Sequence, residues 1–304
     1  VRMYTPEMAA ETTHRVLKEL DIAPRDWRQL LEVPATTLLQ VQSEFPPLPP
    51  YRRKHRMGQP TESGQGGFGP VVDSHILPNH PFDPAAPPIS SHKPLMVGWN
   101  EDEYTFFAWE REDVSVFELS LADLPERLEP QLGPDAGQIV ATYRQTMPDA
   151  SAPDIFVAIS SILMMGLGSI EIAEKKAIQD GASVYLYNFG YKSEQTIPGT
   201  DHAFGTPHAM DISFKFNNQT PTSPSDFLAG NNPDRFVASH KMAELWTTFA
   251  RTGAPAAANV PEWPAYNLRD RVTMRIDTNC EVLYDRFRDE LSVWRATGYL
   301  PPLP

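Results

Sequence analysis

Two short, unbroken apolar runs limit what this chain can build: Leu95-Met96-Val97 and Val184-Tyr185-Leu186-Tyr187. Neither alternates apolar with polar side chains, and each is too short for a helix of its own. That is the pattern of strands covered on both faces, as in a parallel sheet flanked by helices. The first run passes into Asn100-Glu101-Asp102-Glu103. The second leads, through a polar loop of turn residues at 190–201, to His208. Loops at the carboxyl ends of strands are where open α/β sheets form their sites. A loop also lets an imidazole reach a reacting group while a rigid neighbour holds it still. A lone loop histidine is ordinarily just a hydrogen-bonded surface residue; the acidic landmark at Glu103 is what singles out His208. Glu101 and Asp102 read as solvated acids that cap the following helix. After His208, apolar Ile212, Phe214 and Phe216 alternate with polar Ser213, Lys215 and Asn217.

Around these runs the chain reads as mostly helical. Thr5-Pro6-Glu7 is a helix start, with Thr5 as N-cap and Pro6 in the first turn, and the helix runs to about Leu20. Short helices follow at 25–32 and 36–42. Prolines break the chain at 45–50, and 58–70 reads as a flexible glycine-rich loop that lacks the Gly-Lys-Ser/Thr ending of a phosphate cradle. A short strand is expected at 114–118 and helices at 122–132 and 136–145. Residues 154–167 are apolar nearly all round, as in a core helix or a pocket wall, which makes Met164 and Met165 candidate pocket residues. A helix at 170–179 ends at Gly181. An amphipathic helix at 238–252 ends at Gly253, and Trp263-Pro264-Ala265-Tyr266 is a packed turn. Strands at 272–276 and 282–284 form a closing hairpin before a last helix at 286–295.

The 304 residues carry a net charge of -13 and a sequence pI near 5.0. Such a surface repels phosphate backbones and anionic lipid, so neither nucleic acid nor a membrane is an expected partner. No apolar run approaches the roughly 20 residues that span a bilayer. Val1-Arg2-Met3-Tyr4 has neither the apolar core nor the cleavage site of a signal peptide. Cys280 is the only cysteine, which excludes an internal disulfide and leaves the compartment, cytoplasmic or secreted, open. His75, His80 and Asp83 sit among prolines with no fourth partner, so no metal is expected, and no cofactor.

The ordered set of motifs resembles the type-B carboxylesterases, the family of the cholinesterases and bacterial para-nitrobenzyl esterases. It comprises Pro70-Val71-Val72-Asp73, Pro94-Leu95-Met96-Val97-Gly98 with Asp102-Glu103 and Phe106-Phe107, the 184–189 strand, His208-x-x-Asp211-Ile212-x-Phe214-x-Phe216, the run 246–255 and Trp263-Pro264-Ala265-Tyr266. The resemblance implies an α/β-hydrolase fold, of which the chain would supply the C-terminal part of the mixed sheet with its flanking helices. One domain would span 1–304: an acid-bearing strand region at 65–110, a helical pocket-covering region at 111–183, and the His-bearing strand, helix and closing hairpin at 184–304. Glu103 would be the triad acid and His208 the base, with Phe106 and Phe107 in the pocket wall. Three positions depart from the family: Tyr104 and Ala209 replace glycines after the acid and the histidine, and Asn217 stands where a Phe-Gly step is usual.

The family's nucleophile sits in Gly-x-Ser-x-Gly on a strained strand-to-helix turn. That pattern occurs nowhere between Val1 and Pro304. Gly181-Ala182-Ser183 begins it, but Tyr185 stands where the second glycine must be, and Ser160 and Ser161 lie inside the apolar helical run. The expectation is a serine-type ester hydrolase acting on a small apolar or aromatic ester. The serine and the oxyanion donors would come from an N-terminal complement, on a separate chain or on a segment outside these 304 residues. Without those strands the Leu95 and Val184 runs have no sheet to join, which puts folding of this chain by itself in question. The alternatives are a non-catalytic binding or scaffold member of the same fold, since function does not follow from fold, and a structural subunit of a partner with its own triad.

Overall fold

In the computed structural model, residues 3–45, 68–220 and 226–303 are described. The expected glycine-rich loop lies, over 58–67, outside them, as do residues 46–50 of the proline-broken stretch. The chain divides into two compact units, Val1–Ala85 and Ala86–Pro304.

In the first unit, α1 (Pro6–Glu19) starts where expected, because the Thr5 hydroxyl accepts the Met8 N–H at 3.3 Å and Pro6 has no N–H to satisfy. A 3₁₀ segment, Pro24–Glu32, and α2 (Ala35–Ser43) follow, and Val16, Val41 and Phe45 bury a small core between them.

The second unit is built on a four-stranded mixed sheet, and it corrects the expectation that the two apolar runs lack a sheet. β1 (Leu95–Asn100) and β2 (Val184–Phe189) pair with each other in parallel, Leu95 against Val184 and Asn100 against Phe189. β2 also pairs in parallel with β5 (Thr273–Ile276), and β5 pairs antiparallel with β6 (Glu281–Leu283), giving the order β1-β2-β5-β6. A residue at Gly98 with a Cβ would put it 2.2 Å from the Tyr187 carbonyl oxygen, so glycine lets the first two strands close up.

Between β1 and β2 run α3 (Glu103–Glu110), α4 (Leu124–Leu132), α5 (Ala136–Thr146), α6 (Ala152–Ser161), a π-helical turn (Ile162–Gly166) and α7 (Leu167–Ile178). α8 (Met210–Lys215), α9 (Asp226–Ala229) and α10 (Asp234–Thr252) precede β5, and α11 (Arg288–Ala296) ends the unit. β2 shows why an unbroken apolar run was needed. Val184 and Leu186 join one core cluster with Trp99, Phe156, Ile170 and Trp294, while Tyr185, Tyr187 and Phe189 join another with Met210, Phe214, Met242 and Met274. Each of these large side chains contributes about 1.5–3 kcal/mol on burial, so a strand wetted on one face would forfeit several of them.

Three readings are corrected, and the alternating segment is resolved. Residues 114–118 are a 3₁₀ helix, not a strand: they have no neighbouring strand, and only Val116 is buried. The polar loop at 190–201 contributes to a two-stranded hairpin, β3 (Ser193–Thr196) with β4 (Ala203–Gly205). The alternating segment after His208 is helical, because Met210 and Phe214 are buried one turn apart while Ile212 and Phe216 face outward. The helical stretch Ala152–Ile178, 27 residues, is long and apolar enough to cross a membrane, contrary to the expected absence of such a run. Two-thirds of its apolar window (67%) is buried inside the protein, as befits a core helix.

Candidate active site

β1 ends at Asn100, and the next turn opens α3, placing Glu103 in the first turn of that helix. β2 ends at Phe189, beside Asn100 across the ladder, and the chain returns through the β3–β4 hairpin to His208. Two side chains 105 residues apart thereby meet. His208 Nδ1 lies 2.6 Å from Glu103 Oε2. The other carboxylate oxygen, Oε1, accepts the Asn100 backbone N–H at 2.8 Å. Glu103 is only 5% exposed, whereas the His208 side chain keeps 35% of its surface open. Nε2 of His208 has no hydrogen-bond partner among the described residues.

The imidazole titrates above its usual 6.5, chiefly because of the hydrogen bond to Glu103; burial pulls the other way, and the negative charges of Glu103 and Asp211 add to the rise. A carboxylate behind Nδ1 fixes one tautomer and leaves Nε2 to take or give a proton. Phe107 lies with its ring centroid 4.8 Å from that of His208, and Phe106 at 6.2 Å. Met164 and Met165 fall in the π-helical turn and pack, half-buried, against the first core cluster.

Glu101 and Asp102 are not solvated caps. Glu101 pairs with Arg275 at 3.0 Å, Arg286 at 2.9 Å and Lys192 at 3.0 Å. Burial pushes its carboxyl up, but Lys192, Arg286 and Arg275 outweigh that and hold it down at about 2. Asp102 also pairs with Lys192, and its Oδ2 accepts the Thr206 N–H at 2.7 Å, two residues before the histidine. Nearby, the Thr105 hydroxyl donates to the Phe204 carbonyl at 2.8 Å and Asn100 Nδ2 to the Pro207 carbonyl at 2.7 Å. Ser161 accepts the Tyr104 N–H at 3.0 Å, tying α3 to α6.

A profile of the carboxylesterase family matches residues 10–294. The chain belongs to that family. It is 28% identical over 232 residues to the phenmedipham hydrolase of Pseudarthrobacter oxydans, covering 74% of this chain and 44% of that protein. It is 26% identical over 285 residues to the para-nitrobenzyl esterase of Bacillus subtilis, covering 93% and 52%. A carboxylesterase of Geobacillus stearothermophilus superposes with a TM-score of 0.68 at 28% identity, over 96% of this chain and 55% of that one. The fold is that of the α/β-hydrolases, with a mixed sheet and flanking helices. The chain spans about half the length of the curated relatives it matches.

The family's glycine positions acquire a physical meaning here. Ala209, after the histidine, takes φ 66°, the left-handed conformation that glycine adopts without cost. Asn217 takes φ 48°, where asparagine is the next best residue. Tyr104 uses its side chain to pack edge-on against Phe156, with centroids 5.3 Å apart. Sequence reading missed Asn100, Lys192, Thr206 and Ser161. Only Ser161 carried a signal, since a hydroxyl inside so apolar a helix has to find a partner.

Proposed function

We propose that this chain supplies the acid and the base of a serine-type carboxylic ester hydrolase. The observation that carries the reading is the 2.6 Å contact between His208 Nδ1 and the buried Glu103 carboxylate, with Nε2 left open. The serine and the oxyanion donors come from a complement outside these 304 residues, since no Gly-x-Ser-x-Gly occurs within them. His208 Nε2 takes the serine hydroxyl proton as the serine oxygen attacks the ester carbonyl carbon. The same proton passes to the leaving alcohol as the carbon–oxygen bond breaks, and a water molecule then repeats the sequence on the acyl-enzyme. Glu103 holds the tautomer and stabilises the imidazolium. Phe106 and Phe107, beside the imidazole, favour a small apolar or aromatic ester. A relative named for para-nitrobenzyl esters points the same way.

The test is to combine the chain with the serine-bearing polypeptide of the same hydrolase and follow para-nitrophenyl ester turnover. His208→Ala abolishes turnover without loss of fold, and Glu103→Gln lowers it by up to about 10⁴-fold, as loss of the acid does in an unrelated triad. Unchanged turnover by His208→Ala would rule out the base assignment and leave a structural subunit of a partner with its own triad as the reading.

A further inference from the structure

We propose that Asn100 is the positioning residue of this site, holding acid and base against each other by acting on both at once. The inference rests on the Glu103–His208 pair as the working dyad. Asn100 closes β1, where the sheet fixes its backbone opposite Phe189, and it is only 1% exposed. Its N–H binds Glu103 Oε1 at 2.8 Å, which sets the rotation of the carboxylate and turns Oε2 toward His208 Nδ1. Its side-chain Nδ2 binds the Pro207 carbonyl at 2.7 Å, the oxygen of the very peptide unit that leads into His208. One residue thus ties both partners to the same rigid strand end.

Two further features separate this role from ordinary loop packing. The residue after the histidine, Ala209, sits at φ 66°, a strained conformation in a turn closed by a long 3.3 Å bond from the Met210 N–H, so the local backbone holds His208 weakly by itself. The Asn100 amide oxygen, Oδ1, is buried with no partner among the described residues, a penalty that the Nδ2 bond has to offset. The bonds that tie Thr206 to Asp102 and to the Tyr191 carbonyl, and Phe204 to Thr105, act two and four residues before the histidine and touch neither the Glu103 carboxylate nor the peptide of His208; within the turn, the Met210 N–H reaches the Pro207 carbonyl at the longer 3.3 Å.

The test uses the 304-residue chain with ¹⁵N-labelled histidine and needs no serine partner. Proton–nitrogen NMR reads the hydrogen-bonded Nδ1–H of His208, assigned by its loss in His208→Gln, and the pH at which the ring titrates. Asp211 is the other charged group acting on that ring, and it is unchanged in every variant. The wild-type chain shows the bonded Nδ1–H and titrates above 6.5. Asn100→Ala loses that resonance and titrates back toward ~6.5. Thr105→Val, which removes an equally buried bond to the same loop, keeps both signatures. Asn100→Leu, of nearly the same shape and uncharged, offers no donor to the Pro207 carbonyl; it behaves as Asn100→Ala and carries the test should the alanine variant not fold. The proposal fails if a folded Asn100 variant keeps the wild-type resonance and titration, or if Thr105→Val shifts His208 as far. It fails equally if both Asn100 variants unfold while Thr105→Val does not, since Asn100 would then be a structural residue. Absence of the bonded Nδ1–H in the wild-type chain would instead remove the dyad on which the inference stands.

Discussion

Gly205→Ala measures how firmly the loop that carries His208 is tied to the turn that carries Glu103. Gly205 has φ +61°, and a Cβ there would fall 2.3 Å from Asp102 Oδ2 and 2.9 Å from its Cγ. That oxygen accepts the Thr206 N–H at 2.7 Å and pairs with Lys192, whose side chain is about half exposed (47%). The methyl group therefore fits only if the carboxylate leaves. Gly199→Ala is the control: its φ is +82° and a Cβ would meet nothing within 4 Å. Both variants bear the left-handed backbone cost of about 1–2 kcal/mol and the same gain in the unfolded chain. Their difference isolates the tie. A hydrogen bond to a charged group contributes about 1.5–3 kcal/mol, and a half-exposed ion pair at most about 1 kcal/mol. Gly205→Ala is therefore expected to be less stable than Gly199→Ala by about 2–4 kcal/mol. Denaturant unfolding of the two variants, compared at unchanged slope, reads this directly. A gap below about 0.5 kcal/mol, within the usual scatter of surface substitutions, would show that Asp102 does not hold the loop.

Three other outcomes can be checked. On the proposed role of His208 as base, which must be neutral, ester turnover by the chain combined with its complement falls as pH drops through a value above 6.5, because Glu103 raises the histidine's pKa; Glu103→Gln moves that limb downward. The linked stability has the opposite sense, complete below 6.5 and lost as pH rises through the raised value, and a wild-type limb at or below 6.5 would contradict the shift. Glu101, held at about 2 against its usual 4.5, contributes stability above 4.5 that is lost as pH falls through about 2. The difference of about 2.5 units corresponds to about 3 kcal/mol, and acid titration of the unfolding midpoint should lose that component in Glu101→Gln. Ala209→Gly removes a left-handed alanine, and the chain should gain up to about 1 kcal/mol in unfolding experiments once the added freedom of the unfolded glycine is subtracted; a loss of stability would mean that the φ of 66° carries no strain.

The chain's own order of residues determined its local elements and its family. Apolar runs without alternation, too short for helices and ending in polar turns, read as doubly covered strands, Thr5-Pro6 reads as a helix start, and Gly253 closes α10 at φ 80° as a left-handed cap. Glu103 and His208 were legible because each follows a strand end, where sheets of this kind present their polar groups. What joined them was not legible. Asn100, Thr206, Lys192 and Arg275 act across separations of about 90 to 170 residues, through single hydrogen bonds and ion pairs that leave no periodicity in the chain. The same holds for Glu101 and Asp102, whose acidity on paper means solvation and whose pairing with cations only the packed sheet creates. Residues 114–118 went astray, and the alternation at 210–215 settled nothing, for a related reason. Over five or six residues, apolar spacing fits strand and helix alike, and the choice falls to whichever neighbour offers a surface to bury against.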